Sequence, residues 1–228
     1  MELLLKQNGT EKVIVDEIYR AILGHRLRAG TKLGEESMCE VFSTTRGRVR
    51  RALQLLANKN IVELKPNLGA FVATPSSHEA QNIFEARRTI EVTIVHKVIS
   101  NCTQSDIDEL RSLIDKDRSA QREGEEHSAI QFSGEFHIML GKKSGNDVLA
   151  NILEELITRT SLIIGLFSKS KHLMCSFDEH EKIVAAIASR DEPLALELTT
   201  RHLDDIELDL SFTKDRSLRD LKDIFSLA

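Results

Sequence analysis

The chain has 228 residues, of which 41% are hydrophobic and 29% charged, with a net charge of −5. Those are ordinary values for one large or two small globular domains, and no apolar run approaches the eighteen or so residues of a membrane span. Aromatics make up 4%, with no Trp and three Pro, while Leu, Ile, Ala, Glu and Arg are abundant, which favours helices over a β-sandwich.

The acidic net charge hides an asymmetry. Residues 1–75 hold 12 Lys and Arg against 8 Asp and Glu, and residues 76–228 hold 19 against 28. A basic module is joined to an acidic one. The opening MELLLKQNGT lacks the basic n-region and cleavage site of a signal peptide. Cys39, Cys102 and Cys175 are odd in number, far apart and in no metal-type spacing, so reduced thiols in a cytoplasmic protein are expected.

Thr10 can cap a first helix whose apolar positions, Val13, Ile14, Ile18, Ala21, Ile22 and Leu23, follow a 3.6-residue period. The helix ends near Gly24, and LRAGTKLG reads as a turn. Glu35 to Val41 reads as a second helix. Ser43-Thr44-Thr45 starts a third, with Val49, Leu53, Leu56 and Ala57 on one face. IVELK and AFVAT, joined by PNLG, read as a β-hairpin. Three helices and a hairpin in residues 1–75 predict a winged helix-turn-helix domain. Thr74-Pro75-Ser76-Ser77 reads as its linker, because Pro75 disfavours helix at Thr74. Residues 76–228 carry only helical periodicity, with helices expected near 77–100, 104–122, 127–143, 146–168, 177–189, 192–212 and 217–226. The predicted class is mainly α, with an all-helical antiparallel bundle as the second domain.

The third helix begins Thr45-Arg46-Gly47-Arg48-Val49-Arg50-Arg51. Arg46 and Arg50 are four apart and share a face, flanked by Arg48 and Arg51, while Val49 and Leu53 point to the core. Alone, such a run is as readily a solvated basic face. Placed third, before a hairpin, it fits a helix that enters the major groove, where Arg reads guanine O6 and N7.

The segment from IYRAILG to GAFV resembles the DNA-binding domain of the GntR family. Gly24 to Leu33 is similar to the family's G-x-L-x-x-G-x-x-L turn with one extra residue, Thr45 to Leu53 to its S-R-x-x-V-R-x-A-L stretch, and Pro66 to Val72 to its wing. The resemblance implies that Arg46 and Arg50 are the main DNA contacts, with Thr45 on phosphate and Gly69 at the wing tip near the minor groove. Gly47-Arg48 stands where Thr-Pro is commoner in the family, which adds Arg48 as a further contact and leaves the operator sequence open.

His137, His180 and His202 each lie on a predicted helix beside apolar neighbours. A lone His of this kind is commonly a satisfied core residue. Three on separate helices can also converge and bind a metal through neutral imidazoles. Here the sequence resembles the FCD effector domain of the FadR subfamily. Arg87 to Glu91 is similar to its R-x-x-x-E helix, Phe136-His137 with Ser144-Gly145-Asn146 to F-H-x-x-L…S-G-N, and His180 to Ile187 to H-x-x-I-x-x-A-I. The resemblance implies a divalent metal, Zn first, on His137, His180 and His202. It also implies a small carboxylate effector held near Arg87, Ser133 and Asn146. Many relatives place an Asp ligand four residues before the first His, and Ser133 occupies that position here. Glu135 is the nearest carboxylate in sequence but falls on another helical face. For Arg87, a salt bridge to Glu91 at i+4 is the competing expectation.

The function implied is an effector-responsive transcriptional regulator, a repressor of a catabolic operon, acting as a homodimer on a palindromic operator. The alternative is a metal-dependent enzyme built on the three histidines, which leaves the arginine-rich helix unexplained and offers no evident general base or nucleophile.

Overall fold

The structure is a computed structural model that describes residues 10–23, 26–169, 177–212 and 221–225. Its elements run α1 (Thr10–Leu23), β1 (Lys32–Leu33), α2 (Glu35–Val41), α3 (Arg46–Asn58), β2 (Val62–Lys65), β3 (Gly69–Val72), α4 (Ser77–Asn101), α5 (Gln104–Glu123), α6 (Glu126–Lys143), α7 (Asp147–Phe167), α8 (Phe177–Ala188), α9 (Glu192–Leu208) and α10 (Leu221–Phe225). The chain divides into two compact units, Met1–Ser76 with Phe212–Ala228, and Ser77–Ser211. Gly24, Cys175 and the Thr10 side chain, used in the sequence reading, lie outside the described residues.

In the first unit, α1 buries Ile14, Val15, Ile18, Ala21 and Ile22 against α3, which answers with Val49, Ala52, Leu53 and Leu56. This is the i, i+3/i+4 stripe of an amphipathic helix. Val13 lies off that stripe and is half exposed. The hairpin pairs Val62 with Val72 and Lys65 with Gly69. Its turn needs backbone with positive φ, supplied by Asn67 (60°) and Gly69 (102°). Lys32 and Leu33, read from sequence as turn, add a third strand to give the order β1-β3-β2. Two residues carry no periodic signal, so only pairing with Phe71 and Ala70 makes them a strand.

The last helix was expected in the bundle. Its described part, α10, groups instead with the first unit, where it packs on α2. Phe225 meets Phe42 with ring centroids 5.3 Å apart, and the Ile224 carbonyl accepts from Arg26 Nη1 at 3.1 Å.

The second unit is a bundle of α4 to α9. Neighbours α5 and α6, α6 and α7, and α8 and α9 pack on each other, and α4 packs on α6, α7, α8 and α9. Its core joins Ile94, Val98, Leu110, Phe136, Leu153 and Val184. Local chemistry sets the helix ends: Thr103 and Asp106 form a reciprocal cap on α5, Gly124 closes that helix at φ 73°, and Asp191 with the following Pro193 opens α9. Helix α9 stops at Leu208, short of the expected 212, because the chain turns to bridge Leu210 to Ser168 and to bond Ser211 N to Phe167 O at 2.7 Å.

Two glycines predict opposite outcomes. A Cβ on Gly47 meets nothing within 4 Å, whereas one on Gly141 meets the Ala150 Cα at 3.3 Å and Leu153 Cδ2 at 3.4 Å. Gly47→Ala is expected to stabilise the fold by about 0.5–1 kcal/mol through helix propensity. Gly141→Val should cost about 1–3 kcal/mol by overpacking α6 against α7. Thermal melts of the two variants check both signs.

Candidate nucleic-acid interface and metal centre

The N-terminal half of α3 presents Arg46, Gly47, Arg48, Arg50 and Arg51, all exposed, while Val49 is fully buried between them. Thr45 is the N-cap in extended conformation, and its side chain makes no capping hydrogen bond. Arg50 Nε donates to Glu35 Oε1 at 2.7 Å, and Arg46 lies 3.8 Å from Glu36. Arg50 thereby holds the Glu35 carboxyl below its ordinary range, and Glu35 raises Arg50. Exposed pairs of this kind add little net stability and exchange readily for another anion. Arg51 is placed differently: Nε and Nη2 both donate to Glu11 Oε1 of α1, at 3.0 and 2.6 Å. Its guanidinium is engaged within the unit.

Between α3 and the hairpin lies a cleft of about 500 Å³ whose lining includes Lys32, Glu35, Arg50, Gln54, Lys65 and Gly69. Lys65 and Lys32 sit over the Phe71 ring, 5.0 and 5.9 Å from its centroid. Leu68 projects from the turn, 60% exposed. Neither lysine carries a signal in the sequence, because their convergence on one cleft depends on β1 joining the sheet.

In the bundle, His137 on α6, His180 on α8 and His202 on α9 converge, each 2% exposed or less. Their ligand atoms lie within 4.8 Å of one another. His202 Nε2 is 3.1 Å from His137 Nε2 and 3.2 Å from His180 Nε2. The Phe136 ring stacks on His180 at 4.2 Å. Carboxylates from other positions hold the outer edges. His137 Nδ1 donates to Glu91 Oε2 at 2.6 Å, and His202 Nδ1 to Glu179 Oε2 at 2.7 Å. His180 Nδ1 faces Asp117 Oδ2 at 3.9 Å, and neither atom has a hydrogen-bond partner.

Burial pushes His137 down to about 4 against the opposing pull of Glu91, and pushes His180 well down as well. Both rings are therefore neutral near pH 7, the form that ligates metal. With the proton on Nδ1, the Nε2 atoms of His137 and His202 are both acceptors, so their 3.1 Å approach is not a hydrogen bond. Nitrogens bound tetrahedrally to one Zn²⁺ sit about 3.3 Å apart, and the two separations from His202, 3.1 and 3.2 Å, are close to that. The residues fit a divalent cation, with an outer carboxylate behind at least two of the imidazoles.

Arg87 donates from Nε to Glu91 Oε1 at 2.8 Å, and both side chains are buried. Nη2 lies 2.7 Å from the same oxygen but outside hydrogen-bonding geometry, which leaves it without a hydrogen-bond partner. Burial alone would raise Glu91, but Arg87 and His137 hold it at about 2. Burial raises Asp117 to about 6, against the hydrogen bond from Gln121. A cavity of about 20 Å³ adjoins the centre, lined among others by Arg87, Ser133, His137, Thr160 and Ser161. That volume holds a water molecule, and an organic acid needs the walls to part. Asn146 is not among its lining residues. It caps α7, accepting from Leu149 N at 3.1 Å, and Glu135 binds Gln131 away from the cluster.

The comparisons with known proteins agree on both units. Residues 10–72 match the model of the bacterial regulatory proteins of the gntR family, and residues 82–205 match the FCD domain. The transcriptional regulator LutR of Bacillus subtilis is 25% identical over 203 residues, covering 79% of this chain and 92% of its own. The gluconate operon transcriptional repressor of Bacillus licheniformis is 23% identical, covering 89% and 86%. A solved GntR-type regulator from Rhodococcus superposes with a TM-score of 0.73 at 18% identity, covering 87% and 95%. These relatives are DNA-binding transcriptional regulators, which sets aside the metal-dependent enzyme. Among the described residues no helix is long and apolar enough to cross a membrane.

Asn146→Ala should therefore behave as a lost cap. It is expected to cost about 1 kcal/mol of stability in a chemical melt, while zinc uptake, read in the same preparation, stays unchanged.

Proposed function

The chain belongs to the GntR family of bacterial regulatory proteins, with an FCD domain as its second unit, and from that premise we propose that it is an effector-responsive repressor of a catabolic operon. It acts as a homodimer on a palindromic operator, because one small reading domain covers too few bases for a genome and two-fold symmetry doubles the site. The helical unit senses a small carboxylate beside a divalent metal.

The observation that carries the sensing half is the meeting of three buried imidazole Nε2 atoms beside a cavity lined by the buried Arg87 guanidinium. His137, His180 and His202 would hold the ion, and Arg87, with Ser133 lining the same cavity, would receive the effector. When bound, a zinc ion leaves a coordination position for water or an effector carboxylate. Arg87 offers a planar, permanently charged fork suited to a carboxylate. Effector binding alters DNA binding only by favouring one arrangement of the dimer over another.

On the DNA side, Arg46, Arg48 and Arg50, with Thr45, Gly47 and the wing at Gly69, form the reading surface. Arg51, tied to Glu11, contributes by fixing α3 or by exchanging that partner for phosphate. Genome-wide mapping of bound sites in the host tests the regulator as a whole. A few palindromic sites upstream of catabolic genes support it and nominate the effector, and an absence of discrete sites overturns it.

Two variant series address the halves separately. Arg46→Ala and Arg50→Ala are each expected to lose roughly ten- to a hundred-fold in preference for operator over scrambled duplex. Lys65→Ala should instead weaken both duplexes alike and flatten the salt dependence. Fluorescence anisotropy at several salt concentrations separates these effects. For the metal, purified protein reconstituted with Zn²⁺ should retain about one ion per chain, and His137→Ala should retain none after dialysis, as read by elemental analysis.

A further inference from the structure

Asp117 on α5 is a buried carboxylate, 1% exposed, that neither ligates the proposed metal nor lines the effector cavity. Gln121, one turn further along the same helix, donates to its Oδ1 at 2.8 Å and fixes the direction of the group. The other oxygen, Oδ2, has no hydrogen-bond partner and faces His180 Nδ1, which has none either. Among the described residues, the buried side-chain atoms left without a hydrogen-bond partner are Thr44 Oγ1, Arg87 Nη2, Asp117 Oδ2 and His180 Nδ1. Arg87 Nη2 is ion-paired with Glu91 Oε1 at 2.7 Å, so the two that stand unpartnered at the histidine centre are Asp117 Oδ2 and His180 Nδ1, which face each other. Unpaired buried polar atoms are rare because each forfeits its hydration with no return, so a facing pair of them points to a site built for something further.

We infer that Asp117 is the outer carboxylate of the third histidine, which orients His180 through Nδ1 and brings to the metal centre the negative charge that Ser133 does not supply. This rests on the metal reading proposed above. The other two imidazoles already follow the rule. Glu91 of α4 holds His137, and Glu179 of α8 holds His202, each at hydrogen-bond distance from Nδ1. Such partners fix the ring's tautomer and aim its Nε2 lone pair at the metal. Asp117 occupies the equivalent place behind His180, from a different helix. A movement of about 1 Å closes the 3.9 Å gap to a hydrogen bond. Phe136, stacked on the ring, keeps His180 in the plane that makes this contact. Oδ2 approaches from the Nδ1 edge, while Nε2 faces His202. Asp117 is thus a positioning residue and not a ligand.

The sequence position expected to carry the anion is Ser133 on α6, and the structure supplies Asp117 from α5, which packs directly on α6. An anion one shell out still offsets the cation's charge in a low-dielectric core. It leaves the fourth coordination position open to an incoming carboxylate.

The test is zinc affinity by competition with a chromophoric chelator, together with the visible spectrum of the Co²⁺-loaded protein and melts in chelator. Asp117→Asn keeps the size but offers an N–H to Nδ1, which favours the tautomer with its proton on Nε2. The expected result is a zinc affinity about 10- to 100-fold weaker than wild type, with cobalt bands of unchanged position. The melting temperature in chelator should be equal or higher, because a buried negative charge with no cationic partner is gone. Should the Asn variant not fold, Asp117→Leu is expected to show the same three results. Equal zinc affinity in wild type and variant overturns the inference and leaves the metal reading standing. A lower melting temperature in chelator assigns Asp117 to the fold instead, and shifted cobalt bands make it a direct ligand; either overturns the positioning role. No zinc uptake by the wild type removes the metal reading and this inference with it.

Discussion

The helical unit depends on three imidazole nitrogens brought face to face in a buried core. His137, His180 and His202 come from α6, α8 and α9, and their Nε2 atoms approach to 3.1 and 3.2 Å. His137 and His202, each donating from Nδ1 to a carboxylate, turn their Nε2 lone pairs toward one another, and that contact is not attractive by itself. The surrounding side chains hold the arrangement. Phe136 stacks on one ring, and Glu91 and Glu179 fix the outer edges of the other two. Helix ends cut by caps at Thr103, Asn146 and Asp191 set the register in which the histidines can meet.

Glu91 links two parts of the site. One oxygen receives Arg87 and the other receives His137, so guanidinium, carboxylate and imidazole form a continuous chain through the core. Burying such an ion pair is costly, and apolar side chains of like volume often serve stability as well. The chain's use lies in what it orients. A carboxylate that reaches Arg87 competes with Glu91 for the same donors, and Glu91 in turn bears on His137. The small volume of the adjoining cavity means that such a ligand must displace part of the wall, which couples its binding to a change in packing.

The first unit follows the opposite logic. Its charged groups are exposed and loosely held, with Arg46 and Arg50 resting on Glu36 and Glu35. These pairs moderate the positive field of α3 without committing it, since water already solvates both partners. Rigidity comes from the apolar stripe beneath, where Val49, Ala52, Leu53 and Leu56 lock α3 onto α1. Arg51, bound twice to Glu11, adds a polar tie between the same two helices.

The sequence by itself determined the helices of the bundle and the winged unit, because the long elements carry apolar periods and several, such as α5, α7 and α9, carry their own caps. It also singled out the arginine run by residue type and spacing, and the three histidines by their place on predicted helices, with the metal role supplied by the resemblance. It could not show that Lys32 and Leu33 form a strand or that the last helix joins the first unit, because neither follows from local pattern. Asn146 stood in a motif that suggested a ligand, and the structure places it as a cap. Asp117 carried no signal at all: one acidic residue on a helix rich in charge reads as surface until packing buries it. The tertiary structure alone decided which carboxylates stand behind the histidines. Those contacts run between different helices, and no period within one helix encodes what lies across the core.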